Sequence, residues 1–193
     1  RAAGRTIGVV PTMGALHAGH ISLVDAAKAD GHLVIVTIFV NPTQFGPGED
    51  FQAYPRTLDA DLAACAAAGV DFVFTPPVDQ MYAPDAKTTV HVAGLAEGLC
   101  GRHRPGHFDG VTTIVAKLFN AVAPHAAYFG QKDAQQAAVI QKMTADLLWP
   151  IRIVVRPIVR EPDGLAMSSR NRYLSPAQRT QALCLSRALN RAV

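Results

Sequence analysis

Short runs of apolar and β-branched residues alternate along this chain with longer segments in which apolar residues recur every three or four positions. The first pattern predicts buried strands, and the second predicts helices that bury one face. Strands are predicted over residues 6–10, 33–40, 71–75, 126–129 and 151–155, with a further edge strand over 88–92. Helices are predicted over residues 20–30, 57–68, 111–122, 133–147 and from 175 onward.

This alternation predicts an α/β fold, a doubly wound (Rossmann-like) parallel sheet of about five strands with helices on both faces. Strand 33–40 is apolar on both of its faces, as expected for a central strand covered on each side. In such sheets ligands bind beyond the carboxyl ends of the strands. The loops that begin at Pro11, Asn41, Gly130 and Pro157 are therefore the expected site.

Composition and charge exclude some classes of function. Eighteen Lys plus Arg against 15 Asp plus Glu give a formal charge of +3, too small and scattered for a nucleic-acid binder. The longest apolar stretch, residues 33–40, is far shorter than the roughly 20 residues of a membrane helix. The three cysteines, Cys65, Cys100 and Cys184, lack the spacing of a zinc site or a disulfide framework. We therefore expect each of them to be a small buried apolar residue of a protein in a reducing cytoplasm. The chain begins with Arg1 and lacks a secretion signal, which predicts a cytoplasmic piece of a longer polypeptide.

The loop after the first strand places His17 and His20 at the predicted start of a helix. Free backbone N–H groups and the helix dipole favour an anion there, and Gly19 would let a phosphate approach the backbone. These residues suit a nucleotide triphosphate, with both imidazoles donating to phosphate oxygens. The alternatives are two surface histidines in an ordinary turn, or a zinc site that lacks a third ligand nearby. A glycine-rich Walker loop is absent from the sequence.

Two further loops carry groups that suit an acidic substrate and a phosphate. Gln44 can both donate and accept hydrogen bonds, which suits a hydroxyl and a carboxylate. Lys132 could bind a phosphate, with Gln136 about one helical turn further along. Both segments also fit a plain turn and a solvated helix start, in which Asp133 would be the capping residue.

The remaining polar segments are less specific. The Ser-Ser-Arg run at 168–170 could clamp a leaving diphosphate on a mobile loop. The basic segment 101–110 could hold an acidic substrate or cover the site, but the interpretation that we favour is a solvated, flexible loop. Asp61 starts a helix, where it could complement the helix dipole or contact a metal ion.

Five long segments together resemble the pantothenate synthetase (pantoate–β-alanine ligase) family, in the nucleotidyltransferase superfamily that carries the HIGH signature. They are VPTMGALHAGH at 10–20, IFVNPTQFGPGEDFQAYPRT at 38–57, HFDGVTTIVAKLFN at 107–120, FGQKDAQQ at 129–136 and DGLAMSSRNRYLS at 163–175. Several long motifs in the right order are far more specific than the HxGH tetrapeptide alone. The resemblance covers essentially the whole chain.

The resemblance implies that ATP and Mg²⁺ are used to join D-pantoate to β-alanine through a pantoyl-adenylate, with release of AMP and diphosphate. It implies a catalytic set that holds the phosphates, namely His17, His20, Lys132, Ser168, Ser169 and Arg170. Pantoate would contact Met13, Asn41, Gln44 and Gln136. The ATP site would comprise Pro11, Thr12, Met13, Gly14, His20, Gly130, Lys132, Asp133, Met167, Ser168, Ser169 and Arg170, with Asp61 as a candidate metal contact.

The same resemblance implies an organisation in two domains. Residues 1–160 would form the nucleotide- and pantoate-binding domain, and residues 161–193 the start of a smaller lid domain that is otherwise absent. Residues 88–92 could pair across a homodimer. We expect small-molecule substrates, without a nucleic-acid or membrane partner. The alternatives are a nucleotidyltransferase of the same superfamily and a non-catalytic binding module.

Overall fold

A computed structural model of the chain describes residues 4–192. Five parallel strands form its sheet: β1 (Ile7–Thr12), β2 (Leu33–Ile38), β3 (Phe72–Phe74), β4 (Ala126–Gly130) and β5 (Arg152–Arg156). Their spatial order is β3-β2-β1-β4-β5. The chain leaves β1 toward β2 on one side and later returns to β4 on the other, so the sheet is doubly wound, as predicted.

The helices are α1 (Ala18–Ala29), α2 (Leu58–Ala67), α3 (Val78–Met81), α4 (Leu99–His103), α5 (His107–Val122), α6 (Ala134–Asp146) and α7 (Pro176–Arg191). Short 3-10 turns occur at Pro42–Gln44, Gln131–Asp133 and Ser169–Tyr173. Each predicted helix is present, with ends that differ by up to four residues. Among residues 4–192, none of the helices combines the length and apolarity needed to cross a membrane.

Helices cover both faces of the sheet. Val9 and Val10 are adjacent in β1 and completely buried, and they belong to different cores because successive side chains of a strand point to opposite faces. On one face Leu23 of α1 and Cys65 of α2 pack beside Val10. On the other face Ile140 of α6 belongs to a larger core with Val9. Each such fully buried aliphatic side chain stabilises the fold by about 1.5–3 kcal/mol.

The prediction of an edge strand at 88–92 is wrong, because this segment forms no strand. The N–H of Val90 donates to Thr113 Oγ1, and the carbonyl of Val90 accepts from Thr112 Oγ1. Both hydroxyls belong to α5, and Val92 is buried in the adjoining core. Side chains of α5 therefore bond the backbone groups of Val90 that a neighbouring strand would otherwise use.

The cysteines follow the expectation only in part. Cys65 is buried and, as predicted, belongs to an apolar core. Cys100 and Cys184 are exposed, so the prediction of burial is wrong for both. They lie on the outer surfaces of α4 and α7, where neither helix buries that position.

After β5 the chain returns to the carboxyl edge of the sheet. Residues 157–168 include an antiparallel bridge between Arg160 and Ala166, and the 3-10 turn Ser169–Tyr173 and helix α7 follow. Arg179 of α7 pairs with Glu161 and Asp163, which attaches this helix to the bridge segment. A domain boundary at residue 160 remains a prediction.

Candidate active site

The main cleft lies at the carboxyl ends of β1 and β4, the neighbouring strands from which the chain departs in opposite directions. Residues Pro11, Asn41, Gly130 and Pro157 all line it. The structure thus brings together the four loops that the strand-end rule selects. Two helices begin at this edge, α1 after β1 and α6 after β4.

Two imidazoles, those of His17 and His20, lie at the N-terminus of α1. His17 is the N-cap residue, and its Nδ1 accepts a hydrogen bond from the N–H of Gly19 at 3.1 Å. The N–H of His17 in turn donates to Nδ1 of His20 at 3.3 Å. A nitrogen that accepts a hydrogen bond carries no proton, so each neutral imidazole holds its proton on Nε2. Backbone geometry therefore makes both Nε2 atoms hydrogen-bond donors.

Both imidazoles are neutral near pH 7. Burial lowers the pKa of His20 to about 3, assisted by the adjacent His17 and by Lys132. The pKa of His17 is lowered by burial first and by the charge of Lys132 second. The ring centroids lie 4.1 Å apart, a separation at which two positive charges would repel strongly. The pair supplies fixed N–H donors to the cleft while Lys132 supplies a positive charge.

Gly19 packs closely against the imidazole of His17. A Cβ built at Gly19 would lie 2.9 Å from Cε1 and 3.0 Å from Nδ1 of His17. Glycine at this position therefore leaves room for the His17 imidazole.

Asp61 of α2 is buried and bonds the β1–α1 loop. Its Oδ2 accepts from the N–H of Ala15 and from Thr57 Oγ1, and its Oδ1 accepts from the N–H of Leu16. Asp61 and Gly14 line a second, smaller cavity and not the main cleft, whereas Met13 borders both. Among residues 4–192 no group of three His, Cys, Asp or Glu side chains could hold a metal ion. The geometry therefore gives no support to the predicted metal contact, because both carboxylate oxygens already bind donors of the protein.

The turn after β4 presents Lys132, which together with Asp133 and Gln136 lines the cleft. Lys132 Nζ lies 3.5 Å from Asp133 Oδ1, a long and partly exposed contact that leaves the ammonium group accessible. Asp133 occupies the N-cap position of α6, but its side chain makes no capping hydrogen bond. It is therefore available to a ligand.

The segment 167–170 closes the opposite side of the cleft. The N–H of Met167 donates to the carbonyl of Val159, and Ser168 Oγ caps the following 3-10 turn. Ser169 Oγ is 3.2 Å from the hydroxyl of Tyr54. Arg170 forms a bidentate ion pair with Asp50, through Nε and a terminal nitrogen at 2.8 Å each, and its guanidinium lies over the Tyr54 ring.

Asn41 and Gln44 form a buried amide network. Asn41 Nδ2 donates to Gln44 Oε1 and to the carbonyl of Gly110, while its Oδ1 accepts from the hydroxyls of Thr43 and Tyr82. Each of its polar atoms is therefore already bonded within the protein. Gln44 Nε2 contacts Met13 Sδ at 3.2 Å, a weak acceptor that a substrate oxygen could replace. In this geometry Asn41 orients Gln44.

Tyr54, Arg104 and His107 also line the cleft, although they were not named individually as site residues from the sequence. Arg104 forms a bidentate pair with Glu49 and donates to His107 Nε2, and His107 Nδ1 therefore donates to the carbonyl of Gln44. Arg104 lowers the pKa of Glu49 to about 2. The expectation of a solvated, flexible loop at 101–110 is wrong, because its residues form α4 and the first turn of α5 and are bonded to the loop after β2.

The cleft contains most of the predicted site. It is lined by Pro11, Thr12, Met13, His17, His20, Asn41, Gln44, Gly130, Lys132, Asp133, Gln136, Met167, Ser168, Ser169 and Arg170. Fixed N–H donors, an ammonium and a guanidinium near a helix N-terminus are groups that suit a polyphosphate chemically. Fold and cleft together define a doubly wound α/β protein with a cleft, lined by cationic and N–H donor groups, at the switch point of its sheet.

Comparison with known proteins identifies the family. A model of the pantoate-beta-alanine ligase family matches residues 1–193. A pantothenate synthetase of Acetivibrio thermocellus is 61% identical over 189 residues, which cover 98% of this chain and 67% of that protein. The chain therefore belongs to the pantoate-beta-alanine ligase family, a family of enzymes, and spans about two thirds of that relative's length.

Solved structures agree with this assignment. The pantothenate synthetase of Thermus thermophilus has a TM-score of 0.94 and 51% identity, with 97% of this chain and 69% of that chain covered. The pantoate-beta-alanine ligase of Francisella tularensis, solved with beta-gamma ATP and beta-alanine, has a TM-score of 0.91 and 41% identity, with 96% and 72% covered. The predicted fold class and family are both confirmed.

Proposed function

We propose that this chain catalyses the ATP-dependent ligation of D-pantoate and β-alanine to pantothenate, through a pantoyl-adenylate, with release of AMP and diphosphate. The observation that carries the proposal is the convergence of His17, His20, Lys132 and Arg170 on one cleft from three separate loops. Membership of the ligase family supports it, as does the Francisella relative crystallised with an ATP-type ligand and β-alanine.

In the first step a carboxylate oxygen of pantoate attacks the α-phosphorus of ATP, and the bond to diphosphate breaks. This step requires alignment and stabilisation of charge rather than a protein nucleophile. His17 and His20 would donate through Nε2 to phosphate oxygens, because their Nδ1 atoms are occupied by backbone N–H groups. Lys132, together with Ser168, Ser169 and Arg170, would bind the departing diphosphate.

In the second step the amine nitrogen of β-alanine attacks the acyl carbon, and the bond to AMP breaks. The amine must lose a proton to attack. The two imidazoles do not supply the base, because Nδ1 accepts a hydrogen bond and Nε2 carries the proton in both rings.

Pantoate would occupy the end of the cleft beside Met13, Gln44 and Gln136. Gln44 Nε2 can exchange its weak contact with Met13 Sδ for a substrate oxygen. Asn41 would act indirectly, through its bond to Gln44 Oε1. Asp133, whose side chain does not cap α6, would contact the nucleotide ribose.

Magnesium does not fit a site made of protein ligands. The described residues hold no cluster of three candidate ligands, and Asp61 is occupied by hydrogen-bond donors. Mg²⁺ commonly binds through substrate phosphates and water, so we propose that it arrives with ATP.

We further propose a cytoplasmic homodimer with a nucleotide-binding domain at 1–160 and a second domain from 161, and sedimentation would test the dimer.

Pantoate-dependent exchange of labelled diphosphate into ATP tests the first step. His20→Ala and Lys132→Ala should each lower the exchange rate by about 10²–10³-fold, because each removes a group that binds the reacting phosphates. Matched controls are His91→Ala and Lys142→Ala, whose side chains are exposed and paired with surface carboxylates. Full exchange in both site variants would contradict the phosphate role.

Product analysis tests the complete reaction. Free AMP should accumulate only after β-alanine is supplied with ATP and pantoate. A stable nucleotidylated product would instead indicate a nucleotidyltransferase. Binding of ATP and pantoate by calorimetry without turnover would indicate a non-catalytic binding module.

A further inference from the structure

Asp61 is a buried carboxylate that the proposed reaction does not use. Asp61 is only 3% exposed, so the two oxygens of its side chain require hydrogen-bond donors within the protein. Three groups donate to them: the N–H groups of Ala15 at 3.0 Å and Leu16 at 2.8 Å, and Thr57 Oγ1 at 3.2 Å.

These donors belong to a backbone segment of unusual conformation. Gly14 has φ of +80° and Ala15 has φ of +50°, so two consecutive residues adopt the left-handed region. Such a conformation is costly for alanine and persists only where surrounding contacts favour it. Asp61 provides that contact, and a Cβ built at Gly14 would lie 2.9 Å from its Oδ2.

The same segment continues without interruption into the histidine pair. The N–H groups of Ala15 and Leu16 donate to Asp61, and the next N–H, that of His17, donates to His20 Nδ1. A displacement of Leu16 would therefore displace the peptide that sets the orientation and tautomer of His20. It would also displace His17, the N-cap of α1.

We propose that Asp61 is a positioning residue for the phosphate-binding imidazoles, an inference that rests on the proposed function. It holds the loop 14–16, whose first two residues are left-handed, so that His17 and His20 direct Nε2–H into the cleft. The carboxylate acts through the backbone, and it contacts neither substrate nor metal. Asp61 lines the adjacent smaller cavity, and Met13 is the one lining residue that this cavity shares with the main cleft.

Asp61→Asn tests this role with nearly unchanged volume, because one acceptor oxygen becomes an amide that faces donors. We expect the exchange of diphosphate into ATP to fall by about 10²-fold, since small displacements of aligned groups have effects of this size. The Michaelis constant for pantoate should change little, because Asn41 and Gln44 hold that end of the cleft. Asp59→Asn, an exposed position on the same helix, is the matched control.

A spectroscopic measurement separates positioning from general destabilisation. Long-range ¹H–¹⁵N spectra of imidazoles should show Nε2-protonated rings for His17 and His20 in the parent protein and in Asp59→Asn, and mixed tautomers in Asp61→Asn. This result does not depend on activity, so it remains informative if the ligase reaction itself is absent. Unchanged imidazole spectra in a folded Asp61→Asn protein would overturn the proposal.

One other outcome of this experiment also contradicts the proposal. If Asp61→Asn leaves the imidazole spectra intact but raises the Mg²⁺ concentration needed for exchange, Asp61 is a metal ligand. If the variant does not fold, hydrogen exchange of the parent protein decides. The amides of Ala15 and Leu16 should then be protected, and exchange as fast as that of exposed loop amides would overturn the proposal.

Discussion

Two sides of the cleft are held in physically different ways. On the β1–α1 side, backbone N–H groups bond to side chains that are buried or partly buried, including Thr12, Asp61 and the two histidines. On the opposite side, the turn Ser169–Tyr173 is attached to residues 50–54 through partly exposed side-chain contacts, including the pair of Arg170 with Asp50.

This difference indicates that the two sides of the cleft contribute differently to ligand binding. Hydrogen bonds in a buried, low-dielectric setting fix positions closely, whereas partly exposed ion pairs contribute little and exchange readily. The histidine side is therefore formed before a ligand arrives. The guanidinium of Arg170 is held by an anion, Asp50, that an incoming phosphate could replace or supplement.

Gly19→Ala should have the largest effect of the variants that probe this difference. The added Cβ would lie 2.9 Å from Cε1 and 3.0 Å from Nδ1 of His17, so the ring would have to move. Because the ring cannot keep its bond to the Gly19 N–H, we expect diphosphate exchange to fall by about 10²-fold.

The matched control is Gly98→Ala, a position with φ of −88° and no neighbouring atom within 4 Å of an added Cβ. It should keep full activity. Normal exchange by Gly19→Ala would show that the histidine side adapts easily, which would remove the contrast between the two sides.

The pH dependence of stability should report the buried histidine. The pKa of His20 is about 3 in the folded protein and about 6.5 when unfolded, so the unfolded chain binds the proton first. The contribution of neutral His20 to stability is complete above pH 6.5 and is lost as the pH falls from 6.5 toward 3. The loss amounts to at most about 1.4 kcal/mol per pH unit.

Denaturant unfolding between pH 7 and pH 4 measures this slope. His20→Gln should flatten it, while His91→Gln, which alters an exposed imidazole, should leave it unchanged. Equal slopes for the parent protein and His20→Gln would mean that folding does not lower the pKa of His20.

The fold followed from periodicity, because burial on two faces of a parallel sheet imposes a pattern on each strand and helix. Two local features did not follow. Helix α5 begins at His107 and not at Val111, because its first turn bonds to the loop after β2 through His107 and Gly110. The segment 88–92 alternates like a strand, but hydroxyls of α5 bind the backbone of Val90.

The site was predictable wherever its residues directly follow strands. The contacts of Arg104 with Glu49 and of Tyr54 with Ser169 did not follow from the sequence, because the partners lie 55 and 115 positions apart. Asp61 shows the same limit, since its bond to the N–H of Leu16 spans 45 positions. A carboxylate at a helix start has the same local sequence whether it complements a dipole, binds a metal or holds a distant loop.

Asp50→Asn should have the smallest effect and sharpens the comparison most directly. Arg170 and Asp50 are 42% and 25% exposed in their side chains, so the pair should contribute less than about 1 kcal/mol to stability. The Tyr54 ring beneath the guanidinium would still limit the movement of Arg170. We therefore expect a small stability change by denaturant unfolding and at most a several-fold change in the Michaelis constant for ATP. If Asp50→Asn lowers diphosphate exchange as much as Asp61→Asn, the two sides of the cleft are equally rigid, and the proposed division between them is wrong.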